Sequence, residues 1–265
     1  MPKDGEARRL ADDVAYGPHA RHRLDLYGPD NADVEPPLVV FFYGGGWDSG
    51  RKSQYTFVGR ALAAAGFVVA VPDYRLTPEG RYPVFLEDCA RATAWLQTHS
   101  ADYGASTGPM GVAGHSAGAY NAVMTALASE RLRAAGGAPD RIAAVAGLAG
   151  PYDFLPLDVE ETRQAFGHVE ALEQTQPVVR AGHARSDGPD YWLAHGLDDD
   201  VVKVANTKAL SATLRGAGVT VEDHYYPDVS HAGVLVGLAR PFRDDPPVYR
   251  DLTAFLRRRL TSSPA

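Results

Sequence analysis

The chain has 265 residues, 45% hydrophobic and 22% charged, with a formal net charge of -7. A chain of this size buries enough surface to fold without cross-links, and its acidic balance excludes a nucleic-acid binder held by phosphate neutralisation. The single cysteine, Cys89, excludes an intrachain disulfide and a thiolate-built zinc cluster, and the longest apolar runs, such as 38–43, are too short to cross a bilayer. The segment 1–9 has no apolar stretch of the kind a signal peptide needs, so a cytoplasmic location and no membrane partner are expected.

Residues 1–12 are charged and aperiodic and read as a loose arm. Val14-Ala15-Tyr16 and His22 to Tyr27 read as two short strands, with Leu24 and Leu26 alternating as in a half-exposed edge pair. Pro37 to Tyr43 is a continuous apolar run, the pattern of a strand covered on both faces, and it breaks into Gly44-Gly45-Gly46-Trp47. A helix over 55–65 ends at Gly66, and Phe67 to Val71 is the next buried strand. A helix over 83–98 follows, with Leu86, Ala90, Ala94 and Trp95 on one face. Met110 to Ala113 is a buried strand leading through a tight turn into a helix that runs to about Leu132. Ile142 to Leu148 is another buried strand. Residues 151–189 are irregular, with weak helical signals over 159–166. Strands at 191–194 and 219–226 alternate with helices at 204–214 and 248–260. This alternation predicts an α/β fold with a largely parallel sheet of about eight strands and helices on both faces. One domain over 1–265 is expected, with 151–189 as a small insertion over the site.

Gly114-His115-Ser116-Ala117-Gly118 fits the G-x-S-x-G nucleophile elbow. A serine at the tip of a strained strand-to-helix turn projects its hydroxyl into open space, and the close backbone approach admits only small residues two positions to either side. The helix starting at Ala117 aims unpaired N–H groups at the same point. The plainer alternative is a βα turn with an incidental serine. A serine hydroxyl needs a base, and in open α/β sheets functional groups gather past the carboxyl ends of strands. Past 191–194 lie Asp198, Asp199 and Asp200, any one of which can turn inward to orient a histidine. Past 226 lies His231, the best placed of nine histidines; His115 adjoins the serine but points away, and His195 reads as packed or bonded to backbone. The order serine, acid, histidine is that of this kind of site. The glycine triplet leaves N–H groups open to a developing oxyanion, which Gly45, Gly46 and Ala117 would hold together. No G-K-[ST] follows it, which argues against a phosphate loop.

Four blocks give the chain its resemblance to the α/β-hydrolase superfamily, and within it to the hormone-sensitive-lipase-like and kynurenine-formamidase-like esterases. Tyr43-Gly44-Gly45-Gly46-Trp47 is similar to the His-Gly-Gly-Gly-Trp oxyanion loop. Asp73-Tyr74-Arg75-Leu76-Thr77-Pro78-Glu79 with Tyr82-Pro83 and Asp88 resembles a second block. Residues 114–118 are the elbow. His195-Gly196-x-x-Asp199-x-x-Val202 and His231 resemble the acid and base blocks. The resemblance selects Asp199 from the three aspartates and implies a catalytic Ser116, Asp199 and His231, no cofactor and no metal. It departs at Tyr43, where histidine is usual, and a tyrosine there would support the loop through its hydroxyl or narrow the site.

What the resemblance implies is a serine carboxylesterase acting on small esters through an acyl-enzyme. An arylformamidase-type amide hydrolase would use the same residues, and a non-catalytic ligand-binding homologue would typically have lost the histidine. Tyr43, Trp47 and Tyr120, with Tyr152 and Phe154, are expected either to wall an aromatic pocket for short acyl or aromatic esters or to belong to the core.

Overall fold

The computed structural model describes residues 6–31 and 34–261. In chain order its strands and α-helices are β1 (Ala7–Ala15), β2 (Arg23–Pro29), β3 (Leu38–Phe42), α1 (Thr56–Ala64), β4 (Val68–Pro72), α2 (Val84–His99), β5 (Met110–His115), α3 (Ala117–Leu127), α4 (Ser129–Ala134), β6 (Ile142–Leu148), α5 (Glu160–Phe166), α6 (Pro177–Ala181), β7 (Asp190–Gly196), α7 (Ala205–Gly216), β8 (Val221–Tyr226), α8 (His231–Val236) and α9 (Val248–Leu260). The strands form one sheet in the order β1-β2-β4-β3-β5-β6-β7-β8. The pairs β1/β2 and β2/β4 are antiparallel and all others parallel. This is an α/β-hydrolase sheet.

The continuous apolar runs become its middle. Every residue of β3, β4 and β5 is buried, because helices cover both faces and leave no polar side to the strand. On one face α9 packs on β5, β6 and β7, and Arg257 donates to the carbonyl of Ala65 just past α1. The other face carries α3, which packs on β3, β5 and β6 and is flanked by α2, α4 and α6. Each fully buried Val, Leu or Phe in these layers contributes roughly 1.5–3 kcal/mol.

Three expectations need correction. The described part of the supposed arm is β1, an edge strand: register shifts at Arg9/Ala11 and Ala11/Val14 destroy the alternation that would have revealed it. Residues 1–5 lie outside the described residues. Strand β2 is buried on both faces rather than half-exposed, since its inward Asp25 is paired with the Lys52 ammonium at 2.7 Å. The helix after the elbow breaks at Ala128, and α4 turns to pack on α2.

Among the described residues, no helix is long and apolar enough to cross a membrane.

Candidate active site

Strand β5 delivers Ser116 to the carboxyl end of the sheet. Ser116 adopts φ 54°, ψ -125°, a region costing a non-glycine residue on the order of 1–3 kcal/mol. Its surroundings leave it no choice. A Cβ on Gly114 would lie 2.1 Å from the Gly118 carbonyl oxygen, and one on Gly118 would lie 2.0 Å from that of Phe42. The turn is therefore clamped between its own helix and the end of β3. The Ser116 N–H donates to the Leu148 carbonyl at 2.9 Å, extending the β5–β6 ladder past the strands.

The glycine triplet runs beside this turn. A Cβ on Gly44 would lie 3.0 Å from Ser116 Cβ. Gly45 and Gly46 have φ of 122° and 55°, conformations that glycine adopts without strain. Among the described residues, nothing accepts a hydrogen bond from the N–H of Gly45 or Gly46. Ala117 opens α3, where a first-turn N–H has no intrahelical acceptor. Over the loop lies Glu161 of α5, whose Cγ is 3.0 Å from where a Gly46 Cβ would sit.

Asp199 lies in the loop after β7 and His231 just past the loop after β8, and backbone hydrogen bonds tie those two loops together. Leu197 N–H donates to the Tyr226 carbonyl at 2.9 Å and Asp198 N–H to that of Val229 at 3.1 Å. His231 Nδ1 meets Asp199 Oδ2 at 2.8 Å. Asp199 Oδ1 accepts from the N–H groups of Val201 and Val202 at 2.9 and 2.8 Å. Burial alone would raise the Asp199 carboxyl, but hydrogen bonds from His195, His231 and Val202 outweigh it and hold the group well below the usual carboxylate range. Asp198 and Asp200 are exposed. His231 opens the six-residue helix α8, capped by Ser230, rather than lying in a loop.

Sequence reasoning undervalued two histidines. His115 Nε2 lies 3.0 Å from the His231 carbonyl oxygen, and the two rings are 4.8 Å apart. Since a carbonyl only accepts, His115 donates, and the His231 segment rests on the neighbour of Ser116. His195 is wholly buried and reaches Val202 O at 2.8 Å, as a backbone partner was expected, but it also reaches Asp199 Oδ2 at 3.1 Å. The available signal was the four-residue spacing from His195 to Asp199.

Of the two readings open for the aromatic residues, pocket wall or core, Tyr43, Trp47 and Tyr120 take the second. Tyr43, Trp47 and Tyr120 have exposures of 0, 2 and 0% and present no surface to a substrate. Tyr43 is stacked between Tyr55 and Tyr74, donates to Asp73 Oδ1 at 2.8 Å and accepts from Arg21 at 2.7 Å. Its hydroxyl thus ties the strand end to Asp73 and to Arg21, which also donates to the Gly50 carbonyl at 2.9 Å. Trp47 stands edge-on to Tyr120 and Phe166, and its indole N–H donates to Asn121 at 3.1 Å. The block from Asp73 to Asp88 buttresses the glycine loop: Thr77 N–H donates to the Trp47 carbonyl at 2.8 Å, and buried Asp88 binds Arg75 and His22. Among the described residues, no three His, Cys, Asp or Glu side chains converge to hold a metal ion.

A family profile described as BD-FAE matches residues 24–214. Esterase LipI of Mycobacterium tuberculosis (strain ATCC 25618 / H37Rv) is 36% identical over 85% of this chain and 75% of its own. A probable isoprenylcysteine alpha-carbonyl methylesterase, ICMEL1 of Arabidopsis thaliana, is 28% identical over 84% of this chain and 51% of its own. The chain thus spans about half the length of that relative. Among solved structures, esterase B of Lactobacillus rhamnosis inhibited by a tributyrin phosphonate superposes with a TM-score of 0.85 at 18% identity, covering 98% of this chain and 88% of that one. A truncated carbohydrate esterase from gut microbiota gives 0.83 at 19% identity, covering 95% and 96%. At such identities the likeness is one of fold.

Proposed function

This chain belongs to the BD-FAE family of hormone-sensitive-lipase-like α/β-hydrolases, and from that premise we propose that it is a serine carboxylesterase acting on small carboxylic esters. Ser116 Oγ attacks the ester carbonyl while His231 Nε2 takes its proton and then delivers it to the leaving alcohol. Asp199 orients the imidazole through Nδ1 and stabilises its cation. The N–H groups of Gly45, Gly46 and Ala117 receive the developing oxyanion, each such donor contributing about 2.7–4 kcal/mol. Water, activated by the same imidazole, then hydrolyses the acyl-enzyme. No step calls on a cofactor or metal.

The observation that carries this reading is the 2.8 Å Asp199–His231 contact on a segment docked against the neighbour of a strained serine. Relatives named as esterases support the reaction class. The 151–189 segment acts as a small cap within one domain, a role supported by Glu161 standing over the glycine loop. A cytoplasmic setting suits a chain whose one cysteine is free and buried.

Ser116→Ala should lower kcat on a short p-nitrophenyl ester on the order of 10⁴-fold or more. Retention of most of the activity by a folded variant overturns the reading. Running an aryl formamide beside the ester separates esterase from arylformamidase, which share every residue above.

A further inference from the structure

His195 takes no part in the steps above, yet its imidazole is bound on both sides in the interior. Nδ1 lies 2.8 Å from Thr207 Oγ1 of α7. Nε2 lies 2.8 Å from the Val202 carbonyl oxygen and 3.1 Å from Asp199 Oδ2. Both of these partners only accept, so Nε2 carries the hydrogen. In the neutral ring Nδ1 is then an acceptor, and the Thr207 hydroxyl donates to it.

Asp199 thereby receives four donors: two backbone N–H groups on Oδ1 and two imidazoles on Oδ2. The imidazoles differ in one respect. His231 gains and loses its other proton at each turnover, whereas His195 is locked between a strand, a carbonyl and a helix. A carboxyl group turns about its last bond with little resistance. The two backbone N–H groups hold Oδ1, and His195 is the one partner of Oδ2 that does not itself take part in the proton transfer.

We infer that His195, fixed by Thr207, is a positioning residue that holds the Asp199 carboxylate against His231. The inference rests on the serine-hydrolase reading above.

The test compares His195→Leu, His195→Gln, Thr207→Val and Ser116→Ala on one short p-nitrophenyl ester, with thermal melting to establish folding. His195→Leu should lower kcat about tenfold, the effect of losing one well-placed hydrogen bond, with KM within about twofold of the parent. Its acidic limb of kcat should shift from that of the parent, because the carboxylate facing the imidazole has lost a fixed donor on Oδ2. His195→Gln, whose amide can place an N–H near Nε2, should recover most of the kcat. Thr207→Val, nearly isosteric, should lose about threefold. A folded His195→Leu with parental kcat and an unmoved acidic limb, beside an inactive Ser116→Ala, overturns the inference alone. If His195→Leu does not fold, parental kcat in folded Thr207→Val does the same. An active Ser116→Ala overturns the serine reading itself, and His195's role with it.

Discussion

His115 has a buried Nδ1 with no hydrogen-bond partner and another imidazole 4.8 Å away. Burial, and then the charge of His231, lower its pKa from 6.5 to about 4. Above about 6.5 the ring is neutral in both folded and unfolded chains. Between about 6.5 and 4 only the unfolded chain takes up this proton, so stability falls as pH falls through that window, by on the order of 3 kcal/mol in all. His115→Gln should remove this component. Urea unfolding at pH 7 and pH 5 should therefore show a smaller loss in the variant than in the parent; equal losses would mean that the ring titrates normally. The roles proposed for Ser116 and His231 were legible because their chemistry demands a motif and an order, whereas only the family resemblance picked Asp199 from three neighbouring aspartates. The places of Tyr43, Trp47 and Tyr120 were not, since an aromatic ring is as useful in a core as in a pocket wall. His195 was half legible: its backbone partner was expected, but its contact with the acid depends on how the loop after β7 folds back.

Elements carry the site through close backbone contact, and two glycines separate that effect from helix propensity. Gly118→Ala places a Cβ 2.0 Å from the Phe42 carbonyl oxygen, so α3 must lift from β3 and the elbow must open. Destabilisation of about 3 kcal/mol or more is expected, with loss of activity. At Gly216, the last residue of α7, a Cβ meets nothing within 4 Å. Gly216→Ala should be neutral or add about 0.4–1 kcal/mol. Melting curves of the pair check both; a tolerated Gly118→Ala would mean that the turn is looser than drawn. The same scale explains what sequence missed. Continuous apolar runs identify β3 to β6 because burial on both faces leaves nothing else for them to be. Strand β1 hides behind two bulges and a charged surface, and six-residue α8 is too short for a helical period to show.

At the scale of the whole molecule, the net charge of -7 and Glu161 above the glycine loop act together on whatever approaches. Anionic esters should be turned over more slowly than neutral ones, and their kcat/KM should rise with salt. The relevant range is about 10 to 150 mM, over which the Debye length shrinks from roughly 30 to 8 Å. Comparing a succinyl with an acetyl ester of one alcohol checks this; matching salt profiles would show that the field does not reach the bond. The order of strands has a different bearing. Strand β5, which carries the serine, occupies the interior of the sheet, while His231 follows β8 at its far edge. During translation the Ser116 hydroxyl therefore leaves the ribosome long before the proton acceptor proposed for it, His231, exists. On the proposed mechanism, a nascent polypeptide halted anywhere short of that imidazole should be inert toward the esters around it, with competence arriving late in synthesis, all at once.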